Sequence, residues 1–166
     1  MKTRRIAFLG LLIALAFVLS YVEFLLPLSI GIPGAKIGLA NLVVMVALYT
    51  IGNKNAFLLS LVRVILVGLT FGNLAMMIYS MAGAMLSFLV MIIAKRTKLF
   101  SITGVSVLGG VFHNVGQILV AMFVLDTASL IYYLPFLIVI GTISGIVIGI
   151  ISGMITARVG RLFDIK

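Results

Sequence analysis

The chain has 166 residues, 64% hydrophobic and only 9% charged, with a mean hydropathy of +1.41. Soluble domains carry about 25% charged and about 45–50% apolar residues, so this chain has too little polar surface to coat a water-soluble globule and is read as an integral membrane protein. The net charge of +9 sits at the ends of apolar runs, which orients membrane helices and argues against nucleic acid; the absence of cysteine removes disulfides, thiolate metal sites and cysteine nucleophiles.

At about 20 residues per span the chain has room for about six helices and no soluble domain. Residues 1–166 are therefore read as one membrane domain, an all-α bundle of six transmembrane helices. The first helix is expected at 6–26, behind Lys2, Arg4 and Arg5, and carries Glu23 near its far end. Its apolar run is too long for a signal peptide, whose apolar region is about 7–15 residues. The segment PLSIGIPGAKIGLAN (27–41) follows, with two of the three prolines and the lone Lys36. Its Gly and Pro density favours a turned backbone. Pro33, Gly34 and Lys36 are read as a lid over a ligand, against the plainer alternative of a connector.

The second helix is expected at 37–51, with Asn41 one turn in, and the third at 56–71. Both are short: 15 or 16 residues reach about 22–24 Å, against a hydrocarbon core of about 30 Å. Either they extend into neighbouring loops, or the bundle shields them. Arg63 lies midway along the third helix. A charge at that depth costs about 3 kcal/mol on insertion scales, so it faces the bundle or a cavity, or else snorkels to the headgroups. Asn73 ends this region.

The fourth helix is expected at 74–94, closed by Lys95, Arg96 and Lys98, and the fifth at 102–125. The fifth contains GGVFHNVGQ (109–117), in which His113 and Gln117 share a face and Asn114 flanks them. Three polar residues beside glycines suit a ligand or a close helix crossing. The sixth helix is expected at 134–157 and carries Gly141, Gly145, Gly149 and Gly153 at a spacing of four. Such a groove lets another backbone approach, within the bundle or from another subunit. Gly10 and Ala14 offer a smaller version on the first helix.

Ten of the twelve basic residues fall at one end of the spans, which places both termini in the cytoplasm. Glu23, Lys36, Asn41, Arg63, Asn73, His113, Asn114 and Gln117 then lie between the midplane and the outer surface, as candidate contacts for a small molecule captured from outside. Lys36 and Arg63 against one Glu23 favour an anionic ligand, and abundant Met, Phe and Tyr suit an aromatic or prenyl portion. Catalysis by the chain alone is not expected. It has no phosphate-binding GxxxxGK[ST] loop, and Glu23, Asp126 and Asp164 are too scattered to hold Mg²⁺ against a diphosphate. No cofactor and no metal are expected.

PGAKIGLAN (33–41), the Arg63 helix with Phe71-Gly72-Asn73, and GGVFHNVGQ together resemble the Gx transporter family, also labelled heptaprenyl diphosphate synthase component I. That family is similar to the substrate-binding S components of energy-coupling factor (ECF) transporters. The resemblance implies a six-helix protein of the bacterial cytoplasmic membrane that captures a small vitamin-like or isoprenoid/quinone-related compound under the loop between helices 1 and 2. It implies docking through small residues of helix 1 onto a coupling transmembrane protein and two ATPase subunits. Here Ala7, Gly10 and Ala14 only approximate the AxxxA pattern of that docking face. The alternative reading is a non-catalytic membrane subunit of a polyprenyl diphosphate synthase or a quinone-linked electron-transfer system. An autonomous ion-coupled carrier is a third, weakened by the shortage of intramembrane carboxylates.

Overall fold

The computed structural model describes residues 2–25 and 38–163, with side chains described at 6–25 and 38–159. Pro33, Gly34 and Lys36, which carry the lid expectation, lie outside the described residues. The helices are α1 (Lys2–Leu25), α2 (Leu39–Thr50), α3 (Asn53–Thr70), α4 (Leu74–Thr97), α5 (Ile102–Val124) and α6 (Leu134–Phe163), with a 3-10 turn at Ala128–Tyr133 leading into α6. No strand occurs among the described residues. Five stretches are long and apolar enough to cross a membrane, α2 being the shorter sixth helix. The protein is a multi-pass, all-helical membrane protein.

Where sequence chemistry marks a boundary, the helix begins as expected. The Asn73 Oδ1 accepts the Met76 N–H at 2.8 Å and the Ser101 Oγ accepts the Gly104 N–H at 3.2 Å, so α4 and α5 start directly behind a side-chain cap. Elsewhere the helices run past their expected ends. α1 starts at Lys2, α3 at Asn53, and α4 and α6 continue to Thr97 and Phe163. Lys and Arg are good helix formers, and cations suit a helix C-terminus, so basic residues read as loop markers become last turns instead.

The two short helices resolve differently. α3 extends to 18 residues, whereas α2 keeps 12 and is shielded. Twelve residues span about 18 Å, and a helix end in lipid would leave its backbone groups without partners. Accordingly α2 is enclosed, with Val43, Met45, Ala47 and Leu48 almost fully buried against Leu59, Phe88 and Val105 of its neighbours. α1 packs on α2 and α3, α3 on α4, α4 on α5, α5 on α6, and α6 returns to α2.

The C-terminal end of α2 is held by a residue read from the sequence only as an orienting charge. The Lys95 Nζ donates to the Leu48 carbonyl at 2.6 Å and to Asn53 Oδ1 at 3.3 Å, and lies 4.7 Å from the Tyr49 ring centroid. The ammonium thereby ties α4 to the negative end of α2 and the start of α3. Replacing Lys95 with methionine should cost about 1.5–3 kcal/mol, the worth of a charged hydrogen bond. Thermal unfolding in detergent checks this, and an unchanged midpoint would reduce Lys95 to a topology signal.

The sixth-helix glycines face α5. A Cβ on Gly145 would lie 2.6 Å from Val107 Cα, one on Gly149 2.6 Å from Thr103 Cα, and one on Gly141 3.0 Å from the Gly110 carbonyl oxygen. Three of the four thus pack inside the bundle. Gly153 has open space, as does Gly10 on α1, and Ala14 is exposed.

Candidate binding site

Arg63, Glu23 and His113 lie on three helices and line one cavity, together with Ser20, Phe24, Val67, Gly68, Phe71, Met76, Met77 and Ser80. Its volume is about 70 Å³, and it runs from mid-depth in α3 and α5 towards the far ends of α1 and α3. Arg63 therefore points into the bundle and does not snorkel. Its Nε is sealed from solvent and has no hydrogen-bond partner among the described residues. A guanidinium offers five donors and no acceptor, so the cavity holds unspent donor capacity.

Glu23 does not spend that capacity. Its Oε1 accepts the backbone N–H of Gly38, tying the end of α1 to the residue before α2. Gly38 has φ +79°, the left-handed conformation that glycine adopts without steric cost, and this turns its N–H towards Glu23. Glu23 still attracts the Arg63 guanidinium across the cavity.

The wall near α3's end is aromatic. Phe17, Tyr21 and Phe24 of α1 surround Phe71, with ring centroids 5.5, 5.3 and 5.2 Å away. Phe71-Gly72-Asn73 thus combines an aromatic anchor, a tight turn and the cap of α4. Asn73 does not line the cavity and serves that cap.

GGVFHNVGQ divides its residues among three neighbours. His113 faces the Arg63 cavity, with its ring over Gly83 of α4, where an added Cβ would sit 3.2 Å from His113 Cε1. The Asn114 Nδ2 donates to the Leu137 carbonyl at 2.7 Å and clamps α5 to α6, away from the cavity. Gln117 lines a second cavity of about 270 Å³ with Met76, Tyr79, Ser80, Ile118, Ala121, Leu125, Leu130, Tyr133 and Leu137. Met76 and Ser80 line both spaces, so the two cavities abut. Asn41 is elsewhere, in a crevice of about 20 Å³ with Ser87 from the middle of α4, Ser106 from the early part of α5, and Ser144 of α6.

Of the eight residues expected to contact ligand, the structure therefore brings three into one cavity and a fourth, Gln117, into the adjoining one. Asn41, Asn73 and Asn114 lie elsewhere, and Lys36 is outside the described residues. Ser20 escaped notice although it shares a helix face with Glu23, three residues on. Tyr79 and Tyr133 carried no sequence signal, since a membrane tyrosine reads first as an interface anchor.

A family model described as heptaprenyl diphosphate synthase component I matches residues 12–155. The chain belongs to that family. In this component I family member, the described part of the first motif (38–41) leads into α2, Arg63 with Phe71-Gly72-Asn73 belongs to α3 and the turn behind it, and GGVFHNVGQ lies on α5. No curated protein and no solved structure matches the chain. The word "component" in the family's description implies a multi-subunit complex.

Proposed function

We propose that the protein is the substrate-binding membrane component of an ECF-type importer, capturing a small vitamin-like or isoprenoid/quinone-related compound from outside the cell. Arg63, which lines a cavity together with His113 and whose buried Nε has no hydrogen-bond partner among the described residues, carries this reading. An ionisable group at membrane depth is a functional group by default. In this reading both termini face the cytoplasm of a bacterium, because Lys54, Lys95, Arg96, Lys98 and Arg158 all belong to one end of the bundle. Pro33, Gly34 and Lys36, outside the described residues, keep in this reading the lid role expected from the sequence.

Ala7, Gly10 and Ala14 are exposed on α1, and a Cβ on Gly10 would meet nothing within 4 Å. This leaves a small-residue face free for a coupling transmembrane protein, which would in turn engage two ATPase subunits. Coexpression with such partners, followed by purification in mild detergent, should recover them with the wild-type chain, and Gly10→Leu should reduce their recovery several-fold. Failure to recover any coupling or ATPase subunit would count against the importer.

The second reading is a non-catalytic membrane subunit of a polyprenyl diphosphate synthase or a quinone-linked system. The larger, apolar cavity and the family's description favour it. Deleting the chain distinguishes the two: loss of synthase activity with uptake intact supports the subunit, and the reverse supports the importer.

A further inference from the structure

We infer that the Arg63 cavity and the apolar cavity beside it are two compartments of one site, built for an amphipathic oxyanion. Its carboxylate or phosphate group would meet Arg63, and its apolar body, larger than a single aromatic ring, would fill the second space. This rests on the reading that the Arg63 cavity binds a ligand.

The first compartment is polar but small. At about 70 Å³ it has room for a head group and not for a whole vitamin-sized molecule. Its cation has donor capacity to spare, while the nearby carboxylate is engaged by the Gly38 N–H. The compartment therefore selects an anionic oxygen group, which accepts hydrogen bonds from a guanidinium in a fork geometry.

The second compartment has the opposite character. Its volume is about 270 Å³, its wall includes Ile118, Leu130 and Leu137, and none of the described residues lining it is charged. An apolar cavity of about 150 Å³ is enough for benzene, so this one takes a group larger than one six-membered ring. Among the described residues lining it, Gln117, Tyr79, Tyr133 and Ser80 are the polar ones.

Continuity makes the pair one site. Met76 and Ser80, one turn apart on α4, line both spaces. Methionine has three rotatable bonds and a soft thioether, so the partition can move aside for a ligand that joins the two. Neither a free inorganic anion nor a neutral hydrocarbon would use both halves.

The test uses the full chain in discs of zwitterionic lipid, titrated with inorganic phosphate, phenyl phosphate, 1-naphthyl phosphate, 1-naphthoate and neutral 1-naphthol. Wild type should bind 1-naphthyl phosphate or 1-naphthoate roughly tenfold or more tighter than the ringless or neutral probes, since each added buried carbon adds to apolar transfer. Whichever naphthyl anion binds better identifies the head group as phosphate or carboxylate. Ala121→Phe, which fills the apolar compartment, should abolish the advantage of naphthyl over phenyl phosphate; Ala121→Leu should reduce it and guards against misfolding of the larger variant.

If naphthyl and phenyl phosphates bind equally in wild type, or the Ala121 variants keep the full advantage, the two-compartment site is overturned. Binding of phosphate that is lost in Arg63→Ala would still leave the Arg63 cavity standing. Binding of no anion at all would remove both. Equal binding of 1-naphthol would also overturn the inference, because the oxyanion would then contribute nothing. Displacement of naphthyl phosphate by anionic lipid added to the discs would overturn it too, because a membrane lipid would then be the occupant.

Discussion

Replacing Arg63 with alanine should weaken anionic ligand binding about 10–150-fold while leaving the empty protein as stable as before, or more so. Two opposite costs decide the sign. A cation held by a buried structural partner costs about 3–5 kcal/mol when that partnership is broken. A cation held for a ligand instead costs about 2.5–3.5 kcal/mol merely to keep at membrane depth. The sealed Nε without a partner places Arg63 in the second situation. Glu23 would not be orphaned by the change, because it already accepts the Gly38 N–H.

The lost ligand contact is a charged hydrogen bond of about 1.5–3 kcal/mol, or about 10–150-fold in affinity. Arg63→Lys should recover little of it, since a point charge does not reproduce the planar fork. His113→Ala should weaken binding less, because it removes a cavity wall and not the anchor. Thermal midpoints with and without ligand check these outcomes together. A lower midpoint for the empty Arg63→Ala protein, with the ligand-induced shift intact, would make Arg63 structural.

How far the sequence led depends on what each residue had to declare. α4 and α5 start where the sequence placed them, and the caps at Asn73 and Ser101 supply the local reason, although Asn73 was read from the sequence as a ligand contact. The spacing of four in α6 foretold a close crossing because helical periodicity fixes a shared face. Lys95 was misjudged in role, since its contacts with Leu48 and Asn53 bridge more than forty positions along the chain. The same limit separated the polar candidates. Residues 113, 114 and 117 looked like one cluster, but a helix turns about 100° per residue, so His113 and Asn114 point to different neighbours. Asn41 looked superficial because the second helix was expected to start near the surface; the enclosed α2 instead packs it into the bundle beside Ser87, Ser106 and Ser144.

The other large effect is expected at the α5–α6 crossing. In Gly145→Ala the new Cβ would lie 2.6 Å from Val107 Cα, and in Gly110→Ala 2.6 Å from the Gly141 carbonyl oxygen. Neither neighbour is a flexible side chain, so the helices themselves must separate. Helix propensity favours alanine over glycine by about 1 kcal/mol, but overpacking against backbone costs about 1–3 kcal/mol and occasionally more. In lipid no hydrophobic force restores the contact once it opens. We expect a net loss of up to about 2 kcal/mol for each alanine and more for leucine. Gly153, with open space around it, provides the control, and Gly153→Ala should be neutral or slightly stabilising.

The consequence also reaches the cavities, because α5 carries His113 and Gln117 on its opposite side, against α4. A Cβ on Gly83 would already lie 2.6 Å from the His113 carbonyl oxygen, which leaves α5 no room to recoil towards α4. Widening the α5–α6 contact must therefore shift α5 along or around its axis, and binding should fall together with stability. Thermal unfolding and ligand titration of Gly145→Ala and Gly153→Ala decide the matter. A stable Gly145→Ala protein that binds ligand but no longer assembles with partners would show that the glycine stripe serves another subunit, and that α5 and α6 tolerate separation.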